Sequence, residues 1–256
     1  MNTWRQASVA NMHPTRPQLL LVPSISELEW GKIRPSLEEW ADVASYDLPG
    51  LGDEASAGGL DVEMSISRGI GELERRGWSA ALIVGDQFGS GLAVLVASAW
   101  QGRVRGLALG HACLNYRRDG PRPAISVGVA DFQLQLARAG FRAADQMFVE
   151  GLQATYGAEV AAHIRERLTP EFMREFAEFL LANENIDLEP HLRALGVPLL
   201  LVEHRDCPLW TSEGYEDAVA AFPDARTAQT FDNTGSSLEF AGAVRAFATE
   251  VWLATD

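Results

Sequence analysis

The chain has 256 residues but only two cysteines, Cys113 and Cys207. Two unpatterned cysteines exclude a disulfide scaffold and a zinc ribbon, and the expected setting is reducing and cytoplasmic. Lysine is almost missing: Lys32 is the lone example, and the formal net charge is -14. No basic cluster stands out against that charge, so phosphate backbones and anionic lipid are repelled, and neither nucleic acid nor a membrane is an expected partner. The longest apolar runs, such as Leu19 to Val22 and Leu199 to Val202, are strand-sized and far short of the roughly 20 residues that cross a bilayer. The N-terminus lacks the basic start and apolar run of a signal peptide. The sequence has no internal repeat and no low-complexity tract. It has no H-E-x-x-H and no pair of histidines at ligand spacing on one helix, so neither a metal nor a cofactor is expected. GLGDE at 50 lacks the spacing of a nucleotide-binding loop.

What is present is ordinary globular material, 47% hydrophobic and 22% charged. Short apolar runs begin at 19 (LLLV), 43 (VASY), 80 (AALIV), 104 (VRGLAL), 198 (PLLLV) and 225 (ARTAQTF). They read as buried, mainly parallel strands. Between them, Gly31 to Ala41, Val62 to Arg76, Phe88 to Ala99, Glu213 to Phe222 and Leu238 to Leu253 carry apolar residues three and four apart, the helical period. Such alternation predicts an α/β domain with a mainly parallel central sheet covered by helices on both faces. It breaks over 115–190, where helical segments with Phe132, Phe141, Phe148, Phe172, Phe176 and Phe179 follow one another without a strand. The expected division is a core of 1–114 and 191–256 with an inserted helical cap at 115–190, most of whose aromatics pack the cap onto the core.

At Leu82 to Gly91, LIVGDQFGSG runs from a buried strand into a helix, with Gly85 and Gly89 two residues either side of Gln87. That is the pattern of a tight strand-to-helix elbow, in which backbones pass too close for side chains beside the central residue. DLPGLGDE at 47, PLLLVEHRD ending at Asp206, and FDNTGSSLEFAGAVRAF follow in suitable order. Together these segments resemble the α/β-hydrolase superfamily over nearly the whole chain outside the cap, and the resemblance implies the α/β-hydrolase fold.

The departures from that family's pattern bear on chemistry. The elbow position usually holds serine and here holds Gln87, whose delocalised amide is not a nucleophile. The histidine loop reads Gly235-Ser236 where the family has Gly-His, and a serine does not shuttle protons near neutral pH. Asp206 alone matches the triad, either as a relic held by hydrogen bonds or as a working acid or base. Pro23 and Ser24 replace the usual His-Gly after the first core strand, yet the backbone amides of Ile25 and Phe88 are candidate oxyanion donors, because main-chain donors do not depend on side-chain identity. Ser90 and Gly91 continue the elbow helix, whose N-terminus favours an anion.

His111 and Cys113 follow a strand end, where pockets of open parallel sheets lie, and His111 is the best replacement base; the alternative is a histidine hydrogen-bonded at the strand end. His204 sits two residues from Asp206, so a pair between them is conceivable on an extended segment; the equal alternative is that the strand has ended and His204 meets solvent. Glu27 is a candidate carboxylate acid or base at the pocket mouth, the commoner alternative being a solvated loop glutamate, and because the glycine spacing centres the turn on Gln87, Asp86 is read as pointing aside.

The expected site is therefore catalytic Asp206, His111 and Gln87, with Ser24, Ile25, Glu27, Phe88, Cys113 and Ser236 binding substrate. The expected function is an atypical, non-hydrolytic enzyme acting on a small organic substrate, of the kind met in secondary metabolism, by proton transfer, elimination or cyclisation. The rival is a catalytically inactive ligand-binding or protein-interaction module derived from a hydrolase, and a weaker third reading is residual hydrolysis through Ser24, Cys113 or Ser236. Oligomeric state is open, a homodimer included.

Overall fold

The computed structural model describes residues 16–51, 60–115, 150, 152–153, 157–183, 185–205, 207, 211–231 and 237–253. Among the described residues six strands form one sheet: β1 (Gln18–Val22), β2 (Asp42–Ser45), β3 (Ala81–Asp86), β4 (Val104–Gly110), β5 (Leu199–His204) and β6 (Arg226–Thr230). Their order is β2-β1-β3-β4-β5-β6, and every neighbouring pair is parallel. All six apolar runs singled out in the sequence are strands. Parallel strands need crossovers, and these are made by helices α1 (Arg34–Glu38), α2 (Val62–Arg75), α3 (Phe88–Ala99), α4 (Ala158–Arg167), α5 (Pro170–Asn183), α6 (Glu189–Leu195) and α7 (Ser212–Ala221), with α8 (Leu238–Leu253) closing the chain.

Side-chain alternation along each strand divides the core in two. Leu20, Val22, Ile83, Leu107, Leu109 and Leu201 pack beneath α2, α3, α6 and α7. Leu19, Leu21, Leu82, Val84, Ala108 and Val202 face α1 and α8, where Trp30 and Phe240 stack with ring centroids 6.4 Å apart. The sheet is thus buried on both faces, which is why its strands read as unbroken apolar runs. α4 and α5 lie in sequence between β4 and β5. Their Phe172, Phe176 and Phe179 are buried and stacked in series, and Phe176 meets Phe88 at the start of α3 edge-to-face. These three aromatics pack as expected; Phe132, Phe141 and Phe148 lie outside the described residues. Among the described residues no helix is long and apolar enough to cross a membrane.

The turn from β3 into α3 requires its glycines. A Cβ on Gly85 would lie 2.5 Å from the Gly89 carbonyl oxygen, and one on Gly89 would lie 2.5 Å from the Val22 carbonyl oxygen. Neither backbone neighbour can rotate away. Gly89→Ala should therefore destabilise the protein by about 2 kcal/mol or more, seen as a lower midpoint in urea denaturation. An unchanged midpoint would mean that β1 and α3 are less tightly apposed.

Candidate functional site

The elbow centres on Gln87, at φ 50 and ψ -127. A non-glycine residue rarely adopts positive φ, and the strain is held by the close-packed backbones around it. Gln87 is buried, and among the described residues its carboxamide nitrogen has no hydrogen-bond partner. A buried amide donor left so is costly, by about 1–3 kcal/mol. The glycine spacing thus located the turn on the right residue, and Asp86 does point aside.

The loop after β1 answers to the elbow. Ser24 Oγ donates to the Asp86 carbonyl at 3.0 Å and accepts from the Gly89 amide at 3.4 Å. The amides of Ser24, Ile25 and Ser26 then converge on the carboxyl group of Glu29, at 2.9, 2.6 and 3.0 Å. The Ile25 amide, expected as an oxyanion donor, is instead engaged by this carboxyl group, a correction with a local cause. Ser26 caps the 3₁₀ turn Glu27–Trp30, and Glu29 reaches back to close a capping box. The S-x-x-E spacing that announces this box is plain in the sequence and is the signal by which Glu29 was identifiable.

Glu29 is fully buried. Desolvation lifts its pKa to about 7, against the three amide bonds and with help from the nearby charge of Asp86. Asp47 completes the loop: its Oδ1 accepts from Ser26 Oγ at 2.8 Å and from the Glu27 amide at 2.9 Å, and its Oδ2 accepts from Arg167 on α4 at 2.6 Å. Glu27, read as a carboxylate at the pocket mouth, accepts from Ser45 Oγ at the end of β2 at 2.7 Å and lies 3.4 Å from Arg34. Its oxygen is tied to the scaffold.

On the α8 face, β3, β4 and β5 end in a second cluster. Asp86 Oδ1 lies 3.1 Å from His111 Nδ1 and 3.1 Å from His204 Nε2. The two imidazoles stack with centroids 4.2 Å apart, and His204 Nδ1 lies 2.6 Å from Thr230 Oγ1. All four residues are buried. Burial alone would raise the pKa of Asp86, but the two histidines hold it well below the usual carboxylate range. Burial pushes His111 down, opposed by Asp86. His111 takes the positive φ of 48 that brings its ring back over the strand end. Gly110 is required beneath: a Cβ there would collide with the carboxylate of Asp86 and with His204. His204 thus pairs with Asp86, while Asp206 lies outside the described residues, as does Ser236.

Cys113 is buried and its thiol is pushed up to about 12 by desolvation, so it is no thiolate nucleophile near neutral pH. It borders a cavity of about 20 Å³ shared with His111, His204, Thr211 and Tyr215.

An esterase from Rhodococcus sp. ECU1013 superposes with a TM-score of 0.75 at 18% identity, covering 92% of this chain and 91% of its own. The enol-lactonase of Burkholderia xenovorans LB400 gives 0.69 at 18% identity over 94% and 93%. The chain has the α/β-hydrolase fold. AqDC, described for recognition and ring-cleavage of the Pseudomonas quinolone signal, gives 0.72 at 13% identity over 94% and 93%. Identities this low speak for fold alone. No protein-family model and no curated protein matches the chain.

Because Glu29 holds its proton to higher pH in the fold than in the unfolded chain, its contribution favours folding at low pH and is lost as pH rises through about 7. Glu29→Gln should flatten this part of the stability profile between about pH 5 and 8, a relative change on the order of 3 kcal/mol in urea titrations. Parallel profiles for the variant and the parent would remove Glu29 from the account.

Proposed function

We propose that the chain is an atypical enzyme of the α/β-hydrolase fold that acts on a small organic substrate without a covalent intermediate at the elbow. The observation that carries this is Gln87: the position that presents a nucleophile in related folds is kept in its strained conformation, yet presents a carboxamide whose nitrogen is buried without a partner among the described residues. Strain and an unsatisfied donor persist where function uses them. Gln87 then orients a carbonyl or hydroxyl group of the substrate, and the reaction is a proton transfer, elimination or cyclisation.

The proton is assigned first to Glu29. Its pKa of about 7 matches general acid–base work at neutral pH, and it lies in the loop that Ser24 ties to the elbow. His111 and Asp206, the carriers read from the sequence, are the rivals; His111 Nδ1 is already engaged with Asp86. Ser24 and Cys113 are poor nucleophiles, the first tied between Asp86 and Gly89 and the second held protonated.

A second reading is a hydrolase-derived ligand-binding or protein-interaction module. The capture of the Ile25 amide by Glu29 favours it, because an oxyanion hole built on that amide is closed.

Extracts of the source organism lacking the gene, incubated with the purified protein and compared by mass spectrometry, separate the two. The enzyme consumes an accumulated compound and yields a product, and Gln87→Ala and Glu29→Gln each slow that conversion by about 100-fold, the scale of a lost general acid–base or polarising group. Retention of an unchanged compound on the protein would establish the binding module instead. Full turnover by Glu29→Gln with loss in the double variant Asp206→Asn, His111→Asn would transfer the proton to those residues.

A further inference from the structure

Asp86 adds charge near Glu29 and His111 is the rival proton carrier, but neither role accounts for the three ligand atoms that Asp86, His111 and His204 bring together. One carboxylate oxygen is approached by two imidazole nitrogens at 3.1 Å each. The His204 approach has the distance of a hydrogen bond but not the alignment of one. Meanwhile the outer nitrogen of that ring, Nδ1, is fixed 2.6 Å from the Thr230 hydroxyl. A ligating histidine is held in this way: its outer N–H donates to an oxygen, which sets the tautomer and turns the other nitrogen's lone pair inward. Here His204 Nδ1 and Thr230 Oγ1 share a hydrogen bond, and a bound ion would set the tautomer in which Nδ1–H donates and Nε2 turns to the site beside Asp86.

We infer that Asp86, His111 and His204 form a site for one divalent transition-metal ion of the imidazole-preferring class. The candidate ligand atoms all lie within 4.8 Å of one another. Ligands bound at about 2.0–2.1 Å to a tetrahedral ion stand about 3.3 Å apart, so the two 3.1 Å separations need little adjustment. Two imidazoles and one carboxylate suit Zn²⁺, Co²⁺ or Fe²⁺, and disfavour Ca²⁺ and Mg²⁺, which take oxygen. The ends of three adjacent strands supply the ligands and Gly110 leaves room for the carboxylate, so the site rests on rigid backbone. The cavity of about 20 Å³ against His111 and His204 has room for one water-sized fourth ligand. The ion would also neutralise the charge of Asp86 where burial makes that charge most costly.

The site goes beyond the proposed function, and binding is measured without turnover, so either assignment can fail alone. The untagged full-length chain, stripped with EDTA and dialysed, is titrated with Co²⁺ and followed by its visible ligand-field bands and by metal analysis. One Co²⁺ per chain is expected, displaced by Zn²⁺. His204→Asn and Asp86→Asn should each weaken it by well over 10-fold, Thr230→Val by about 10-fold through the outer nitrogen, and His163→Asn at an exposed position not at all. Thr230→Val and His204→Asn carry the test if Asp86→Asn fails to fold. Binding far below one ion per chain, or stoichiometric binding unaltered in His204→Asn, would overturn the inference.

Discussion

Backbone contact between β1 and the start of α3 sets the geometry of the elbow and of the loop beside it. Gly89 lies against the Val22 carbonyl and Gly85 against Gly89, with no space for a methyl group at either position. This contact forces the strand to turn into the helix within one residue and places Gln87 at positive φ. It also brings the loop after β1 alongside the elbow, where Ser24 bonds both the end of β3 and the first turn of α3. The elbow, that loop and the end of β3 are therefore one mechanical unit, whatever chemistry they serve.

Two buried acidic systems flank this unit, and they solve the problem of a charge in a dry interior differently. Asp86 stays ionised because two imidazoles face it. Glu29 receives three amide bonds, yet desolvation outweighs them and its proton is held to near neutral pH. Asp47 links the second system to α4 through Arg167. A helix lying between β4 and β5 in sequence thereby bears on the loop beside the elbow.

Much of the fold was legible because buried parallel strands write themselves as apolar runs. LLLV at 19 and AALIV at 80 had no competing reading, and the elbow glycines named their own central residue. The site was less legible. Asp86 and His204 stand 118 positions apart, and only the strand order places β3, β4 and β5 side by side. Sequence proximity made a His204–Asp206 pair conceivable; the structure sets His204 against Asp86, across Gly110, and Asp206 lies outside the described residues. Glu29 was missed although S-x-x-E was visible, because a capping box ordinarily means only a helix start, and its burial beneath Ile25 is a tertiary fact. Asp206 and Ser236 fall outside the described residues.

A protein that works without any covalent intermediate keeps its own mass, and intact-protein mass spectrometry reads this out. After incubation with a fluorophosphonate probe the chain should keep its unmodified mass, with no phosphonyl adduct. A stoichiometric adduct that maps to Ser24, Cys113 or Ser236 would contradict it and return the protein to hydrolysis by a relocated nucleophile.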